Sequence, residues 1–367
     1  MSEMITTALA EAQQPFADIR FNLCRLAIEG EDDACILTGT VLDQATLDAA
    51  LAALQKRLPG ARWSSDKVRI LRQAQPRTIA VTTNLTNWQR DPSWLGEQQG
   101  QVLNGTIIEV LDANERWTFG RLEDGYLGWV YTGYTGPSDG IPEPTHRVAA
   151  PFTLLRRDPD AAAPLTGRIF AGTQIAATPH FDDWMEVTQS DGRFAGLAVA
   201  DATPHFDDWM EVTLAGGLRG YAPAGEFRPL VEDLDAPARR ARLISDAMPY
   251  IGVPYLWGGV SIQGIDCSGF AQLMHKLAGV TIPRDADLQF AAGQPVEPPF
   301  LPGDLLFYGS PGDHRDISHV AISLGANYAP AGEWRVHSSR AYNGVAIDNV
   351  QEIESAQRSF KGARRFI

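Results

Sequence analysis

The sequence has few cysteines and no long apolar run. Three cysteines among 367 residues are too few, and odd in number, for a scaffold held together by disulfides. Cys24 and Cys35 flank a predicted hairpin, where we expect reduced, packed thiols. No run of about eighteen apolar residues occurs, so no transmembrane helix is predicted. Residues 1–20 contain an early acid and no basic start, which predicts no signal peptide and a cytoplasmic protein.

Positive charge is also scarce. Lysine and arginine total 31 against 45 aspartates and glutamates, which gives a net charge of −14. This balance argues against a nucleic-acid partner or an anionic membrane surface. Nothing predicts a cofactor or a metal site, including the acids and histidines of the segment PHFDD. The length and the 44% hydrophobic content allow several domains with buried cores.

Residues 1–75 are predicted to form a small α+β domain. Phe21–Ile28 and Ala34–Val41 have the composition of strands, and Val68–Leu71 could return as another. Asp43–Leu58 has the spacing of an amphipathic helix, with Asp43 as its N-cap. No residue of this domain suggests chemistry, so we expect a packing or interaction role.

Short strand-like runs separated by turns occupy residues 76–148 and 149–232, and predict two small barrels or sandwiches. The string ATPHFDDWMEVT occurs twice in the second, at Ala177–Thr188 and Ala202–Thr213. We predict one copy within the barrel and the other as an extra hairpin or edge insertion. A linker then leads into a helix that starts near Ala236 and runs to about Met248.

Cys267 lies where a helix is predicted to begin. Apolar residues follow it at helical spacing, and glycines precede it: Phe270, Leu273, Met274 and Leu277 after, Gly258, Gly259 and Gly264 before. A helix N-terminus favours a negative group, so we expect a lowered thiol pKa and a nucleophilic thiolate. The alternative is a buried, unreactive cysteine.

Two histidines downstream could serve this cysteine. Ile317–Gly325 and Trp334–Ser339 alternate as strands, and adjacent strands would place His319 and His337 side by side on one sheet face. We assign His319 as general base and His337 as the group that orients it. His275 is expected to be solvated, and His314, in a loop, is a reserve base.

Ordered motifs from about Leu243 to Ile367 resemble the NlpC/P60 family of papain-like cysteine peptidases. The matching segments are PYLWGG, DCSGF, IPRDADLQ, LPGDLLFY, ISHVAI and VHSS. The resemblance implies a circularly arranged papain-like α+β domain over residues 240–367. It also implies a triad of Cys267, His319 and His337. The predicted fold class is therefore α+β, with two SH3-like barrels and a small α+β unit before the peptidase.

Within that family the chain resembles the γ-D-glutamyl-L-diamino acid endopeptidases that carry N-terminal bacterial SH3-like domains. The resemblance implies that the Tyr255 hydroxyl and the Cys267 amide form an oxyanion hole. Asp266 and Ser268 would line the substrate subsite. Four further positions would bind substrate: Arg284 the D-glutamyl α-carboxylate, and Asp285, Tyr126 and Glu97 the free α-amine. Ala286 stands where related sequences often have serine.

Simpler interpretations remain for these positions. Arg284 and Asp285 could be a surface pair, and Tyr126 a half-buried strand residue. The function that the resemblance implies is hydrolysis of the γ-D-glutamyl–diamino acid bond in free murein tripeptides or tetrapeptides during cell-wall recycling. Three alternatives stay open: hydrolysis of intact peptidoglycan, inert binding of murein peptides, and acyl transfer on the same fold.

Overall fold

A computed structural model describes residues 2–29, 34–179, 209–309, 316–326, 328 and 332–367. The chain divides into two compact units. The first comprises Met1–Val81, Thr86–Gln99 and Thr106–Asp139, and the second Thr82–Leu85, Gly100–Gly105 and Gly140–Ile367. The α-helices are α1 (Ser2–Gln13), α2 (Gln44–Arg57), α3 (Ala236–Ala247), α4 (Cys267–Leu277), α5 (Ala286–Ala292) and α6 (Glu354–Ser359).

The described residues before position 140 form ten strands. They are β1 (Cys24–Glu29), β2 (Ala34–Val41), β3 (Arg62–Ile70), β4 (Thr78–Val81), β5 (Leu85–Gln89), β6 (Gln98–Leu103), β7 (Ile107–Ala113), β8 (Trp117–Arg121), β9 (Leu127–Tyr131) and β10 (Thr135–Pro137).

The N-terminal part of the first unit is a three-stranded sheet in the order β1-β2-β3. β1 and β2 are antiparallel, and β3 runs parallel to β2 after α2. The predicted helix is confirmed, because Asp43 caps α2 by accepting the Thr46 N–H at 2.9 Å. Helix α1 was not predicted; its Ala8 and Ala12 are buried with Leu37 and Leu54.

The next sheet has seven strands in the order β10-β4-β7-β8-β9-β5-β6. Trp88 is 1% exposed in its core. A Cβ at Gly128 would lie 2.3 Å from Trp88 Nε1, so only glycine fits opposite this ring. The pairings of the described strands give an open strand order, and the SH3-like barrel expected for residues 76–148 stays a prediction.

The second unit contains the remaining strands. They are β11 (His146–Val148), β12 (Phe152–Arg156), β13 (Leu165–Phe170), β14 (Gln174–Pro179), β15 (Trp209–Thr213), β16 (Arg219–Pro223), β17 (Phe227–Pro229), β18 (Val260–Ser261), β19 (Gly264–Ile265), β20 (Gln294–Val296), β21 (Leu305–Tyr308), β22 (His319–Ser323), β23 (Trp334–Ser339), β24 (Gly344–Asn349) and β25 (Phe360–Arg365).

Both copies of the repeated string contribute to one hairpin of the sheet β13-β12-β16-β15-β14-β11-β17. Ala177 and Pro179, from the first copy, pair with Val212 and Met210, from the second. The strand β14 therefore ends in the first three residues of one copy, and β15 consists of the last five residues of the other. Residues 180–208 lie outside the described residues, so the predicted extra hairpin remains a prediction.

The C-terminal part is a six-stranded antiparallel sheet in the order β20-β25-β21-β22-β23-β24. Helix α3 starts at Ala236 as predicted. Helix α4 buries Phe270, Met274 and Leu277 in one core with Val320 of β22 and Val336 of β23. This packing holds the helix that carries the cysteine directly against the strands that carry the two histidines.

The solvated position predicted for His275 is wrong. The residue is fully buried, its Nδ1 lies 2.8 Å from the Ala271 carbonyl oxygen, and its ring meets Phe366 edge to face. Nearly all of α4 is buried, including residues off its apolar stripe. Separately, no helix in the described ranges is long and apolar enough to cross a membrane.

Candidate active site

The start of α4 is built around the Asp266 carboxylate. Asp266 is the N-cap and accepts the backbone N–H groups of Gly269 and Gly258, each at 2.7 Å. Gly258 has φ +74, and a Cβ at Gly269 would lie 2.4 Å from the Gly259 carbonyl oxygen. Glycines on both sides of Cys267 are therefore required for the chain to fold around this carboxylate with Cys267 as the first helical residue.

Asp266, Ser268 and Arg284, three predicted substrate-binding residues, contact one another. Arg284 donates to both Asp266 oxygens at 3.0 and 2.7 Å and to Ser268 Oγ at 2.9 Å. All three are at most 9% exposed. These contacts stabilise the start of α4 next to Cys267. A direct contact between any of the three residues and the substrate stays a prediction.

Cys267 is buried at 8% exposure in the described structure. Burial raises the pKa of its thiol to about 12, and the Asp266 charge adds to this. The backbone N–H groups of Val320 and Ser268 and the Arg284 charge act in the opposite direction but are weaker. The expectation of a lowered thiol pKa is therefore wrong, because desolvation of a thiolate outweighs stabilisation by the helix N-terminus.

His319 and His337 lie side by side, as predicted. Strands β22 and β23 are antiparallel neighbours, and His319 Nε2 is 2.7 Å from His337 Nδ1. Burial, followed by the charges of His337 and Arg335, lowers the His319 pKa well below its usual value. The base is therefore neutral and able to accept a proton at neutral pH.

Asp348, which the sequence reasoning missed, continues this chain of contacts. Its carboxylate lies 3.2 Å from His337 Nε2 and receives two hydrogen bonds from Arg335, at 2.6 and 3.1 Å. Burial alone would raise the Asp348 pKa, but the His337 and Arg335 hydrogen bonds hold it far below its usual range. The carboxylate is therefore charged and accepts hydrogen bonds only.

An ionised Asp348 determines where the histidine protons lie. The His337 nitrogen that faces it, Nε2, must carry a proton, which leaves Nδ1 of a neutral His337 as an acceptor. His319 Nε2 must then donate across the 2.7 Å contact, and His319 Nδ1 keeps its lone pair. We infer that Nδ1 is the basic nitrogen available to the Cys267 thiol.

Tyr255 is held by backbone contacts near the start of α4 and near the start of β24. It forms a bridge with Ile265, two residues before Cys267, and its N–H donates to the Asn343 carbonyl at 3.1 Å. Burial raises the pKa of its hydroxyl to about 12. A hydrogen bond from Arg340 acts to lower this pKa but is the weaker effect. Tyr255 is therefore a protonated hydroxyl at neutral pH, the form that an oxyanion requires.

For the remaining predicted residues, a role in binding substrate stays a prediction. Asp285 is half-buried at the start of the short helix α5. Tyr126, in the first unit, is 4% exposed with its ring 5.3 Å from Phe21. Glu97, also in the first unit, pairs with Arg90 at 3.2 Å. His314 lies outside the described residues. No three metal-ligating side chains are grouped within the described ranges.

The C-terminal part of the chain matches a known protein family. Residues 252–365 match the model of the NlpC/P60 family, and they contain Tyr255, Cys267, His319, His337 and Asp348. These residues form an NlpC/P60 domain. The NlpC/P60 family is a family of cysteine peptidases, so the predicted peptidase resemblance is confirmed.

Relatives extend the comparison. The chain is 33% identical over 144 residues to gamma-D-glutamyl-L-lysine dipeptidyl-peptidase of Bacillus cereus, covering 39% of this chain and 41% of the relative. It is 38% identical over 104 residues to the protein of that name from Bacillus subtilis, covering 28% and 33%. Each of these matches therefore spans less than half of the relative's length.

Two longer matches exist. Dipeptidyl-peptidase 6 of Lysinibacillus sphaericus is 27% identical over 279 residues, which cover 74% of this chain and 91% of the relative. The crystal structure of an NlpC/P60 family protein from Bacillus cereus matches with a TM-score of 0.61 and 19% identity, covering 79% of this chain and 99% of the other. The second match shows likeness of fold.

Proposed function

We propose that the protein is a cysteine endopeptidase that hydrolyses the γ-D-glutamyl–diamino acid bond of free murein peptides. The observation that carries the proposal is the 2.7 Å contact between His319 and His337, on strands packed against the helix that begins with Cys267. A buried thiol, a neutral base and a protonated tyrosine are the groups that acyl transfer requires.

In the first step His319 Nδ1 takes the thiol proton while Cys267 Sγ attacks the γ-glutamyl carbonyl carbon. Because burial disfavours a free thiolate, proton transfer accompanies attack rather than preceding it. The carbonyl oxygen becomes an oxyanion that accepts hydrogen bonds from the Tyr255 hydroxyl and the Cys267 N–H. The resulting imidazolium of His319 is stabilised by His337 and, through it, by the Asp348 charge.

In the second step the His319 imidazolium gives its proton to the departing amine as the C–N bond breaks. This leaves a thioester between Cys267 Sγ and the carbonyl carbon of the glutamyl γ-carboxyl group. Water, deprotonated by His319, then attacks the thioester carbon, and the C–S bond breaks. The product leaves with a free γ-carboxylate, and the proton on His319 returns to Cys267 Sγ. The chain of contacts from His319 to Asp348 keeps the same nitrogen available in both steps.

The names of the relatives in Bacillus support a γ-D-glutamyl substrate for this chain. The finer parts of the proposal rest on the resemblance: two SH3-like domains, Tyr126 and Glu97 binding the free α-amine with Asp285, and a cytoplasmic role in recycling. A buried ammonium that must pair with acids would reject an acylated N-terminus, because acylation leaves those acids without a partner.

The test is mass spectrometry of L-Ala-γ-D-Glu-meso-diaminopimelate and its lysine counterpart, each with a free or acetylated N-terminus. Release of L-Ala-D-Glu from the free peptides alone supports both the bond and the amine requirement. Cleavage of both forms would mean that Tyr126, Glu97 and Asp285 do not select a free α-amine. It would favour a hydrolase of intact peptidoglycan. Binding without cleavage makes the inert binding protein the better account.

A further inference from the structure

Arg340 lies at the candidate active site, beside Tyr255. It directly follows β23, the strand that carries His337. Its guanidinium carbon lies 5.5 Å from the Tyr255 ring centre and 5.2 Å from that of Trp257. It also donates a hydrogen bond to the Tyr255 side chain. The side chain is therefore held over two rings beside the oxyanion tyrosine, although the residue is exposed.

The charges of the site distinguish Arg340 from its neighbours. Arg284 is neutralised by Asp266 at 2.7 Å, and Arg335 by Asp348 at 2.6 Å; both arginines are buried. Within the described ranges, the Arg340 side chain contacts Tyr255 and Trp257, and no carboxylate pairs with it. In a chain of net charge −14, an exposed cation without an acid partner at this place is available to an anionic ligand.

The rings give Arg340 a fixed direction. A guanidinium over aromatic faces gains cation–π attraction, about 0.5–1 kcal/mol at an exposed site. The stacked Arg340 side chain also has fewer accessible rotamers, so ligand binding costs it less conformational entropy. Arginine matches a carboxylate with two parallel N–H groups, which favours this ligand over a neutral carbonyl.

We propose that Arg340 is a specificity-determining residue that binds a substrate carboxylate next to the scissile bond. The inference rests on the proposed function, because it takes the Tyr255 hydroxyl to contact the scissile carbonyl oxygen. Two carboxylates of a γ-D-glutamyl-diamino acid peptide lie near that bond: the α-carboxylate of the D-glutamyl residue and the α-carboxylate of the leaving diamino acid. Arg284, already paired with Asp266, is less available for either.

The test compares three peptides. The first is L-Ala-γ-D-Glu-L-Lys, the second has the D-glutamyl α-carboxylate converted to an amide, and the third has a C-terminal amide. Values of kcat and KM are measured for the wild type, Arg340→Gln and Arg340→Lys. The control is Arg168→Gln, because Arg168 is also exposed and lies 5.0 Å from the Phe152 ring centre, in a sheet remote in sequence from β23.

We expect the wild type to prefer the parent peptide over one of the two amides by about tenfold in kcat/KM. That amide identifies the carboxylate. Arg340→Gln should lower kcat/KM for the parent by about the same factor, mainly through KM, and abolish the preference. Arg340→Lys should keep part of the preference for the parent peptide, and Arg168→Gln should keep all of that preference. In the Cys267→Ala background, the dissociation constants of the three peptides should show the same order without turnover.

Two results would overturn the inference. An equal loss of kcat on all three peptides in Arg340→Gln would mean that Arg340 positions Tyr255 and does not bind substrate. No preference in the wild type, with normal cleavage, would mean that no carboxylate is recognised there. If the wild type cleaves and binds none of the peptides, the proposed function fails first and the inference fails with it.

Discussion

The Asp348 carboxylate lies 3.2 Å from His337 Nε2. Because this carboxylate only accepts hydrogen bonds, the neutral His337 ring has one allowed tautomer, with its proton on Nε2. Asp348→Asn replaces an obligatory acceptor by a group that can donate. The donated hydrogen bond would move the His337 proton to Nδ1 and the His319 proton to the nitrogen facing Cys267. We expect kcat/KM to fall by about a hundredfold or more, with a ¹⁵N imidazole spectrum that shows the exchanged tautomers.

The control for this prediction separates chemistry from folding. Asp348→Asn also leaves the buried Arg335 without its ion pair, so thermal unfolding of the variant is measured alongside. Arg335→Lys keeps a cation beside an intact carboxylate and should retain the wild-type tautomers. If Asp348→Asn folds and turns over like the wild type, the role of Asp348 as a positioning residue is wrong.

The raised pKa of Cys267 predicts slow alkylation at neutral pH. The rate constant for iodoacetamide at this residue should rise by about tenfold for each pH unit between 7 and 9, because the thiolate is the reacting form. Peptide mapping distinguishes Cys267 from Cys24 and Cys35, and the unfolded chain gives the reference rate. A rate that is already level between pH 6 and 8 would indicate a preformed thiolate–imidazolium pair.

His275 predicts a loss of stability in mild acid. Burial lowers its pKa to about 4 from an ordinary value of 6.5, so the unfolded chain binds a proton that the folded chain rejects. Stability therefore falls as the pH drops from 6.5 towards 4, by about 3 kcal/mol if the shift is fully realised. His275→Gln should show a smaller fall in urea unfolding over this window. Equal slopes in both proteins would contradict the prediction.

The repeated string predicts a tolerated deletion. Removing residues 180–204 joins Pro179 to His205, and the chain then reads ATPHFDDWMEVT once. The register of β14 and β15 is unchanged, since Pro179 pairs with Met210 in the full chain, and a short connection closes the hairpin at lower entropic cost. We expect an unchanged kcat/KM and an equal or higher unfolding temperature. Loss of folding would show that the second copy is needed.

Much of the fold could be predicted because local patterns agree with tertiary packing. The helix that starts at Cys267 has the apolar spacing of an amphipathic helix and a residue suited to the N-cap position. Strands β22 and β23 alternate clearly, and this alternation was enough to place His319 and His337 on one face. These three positions carry the catalytic prediction, and each depends on spacing within one element.

Residues determined by packing between elements were not predictable in this way. Asp348 contributes through its register opposite Arg335, and no local pattern in β24 distinguishes it from a surface acid. The Cys267 pKa depends on how deeply α4 is buried, which outweighs the effect of the helix start. His275 was misplaced for the same reason, because α4 is covered beyond its apolar stripe.

The most direct measurement is the kinetics of L-Ala-γ-D-Glu-diamino acid cleavage by the wild type, Cys267→Ala and His319→Gln, with thermal unfolding as the check on folding. The account predicts release of L-Ala-D-Glu by the wild type and a loss of at least about a thousandfold in kcat/KM in each folded variant. Cleavage by Cys267→Ala at a rate near that of the wild type would contradict it, because the bond would then be broken without the Cys267 thiol.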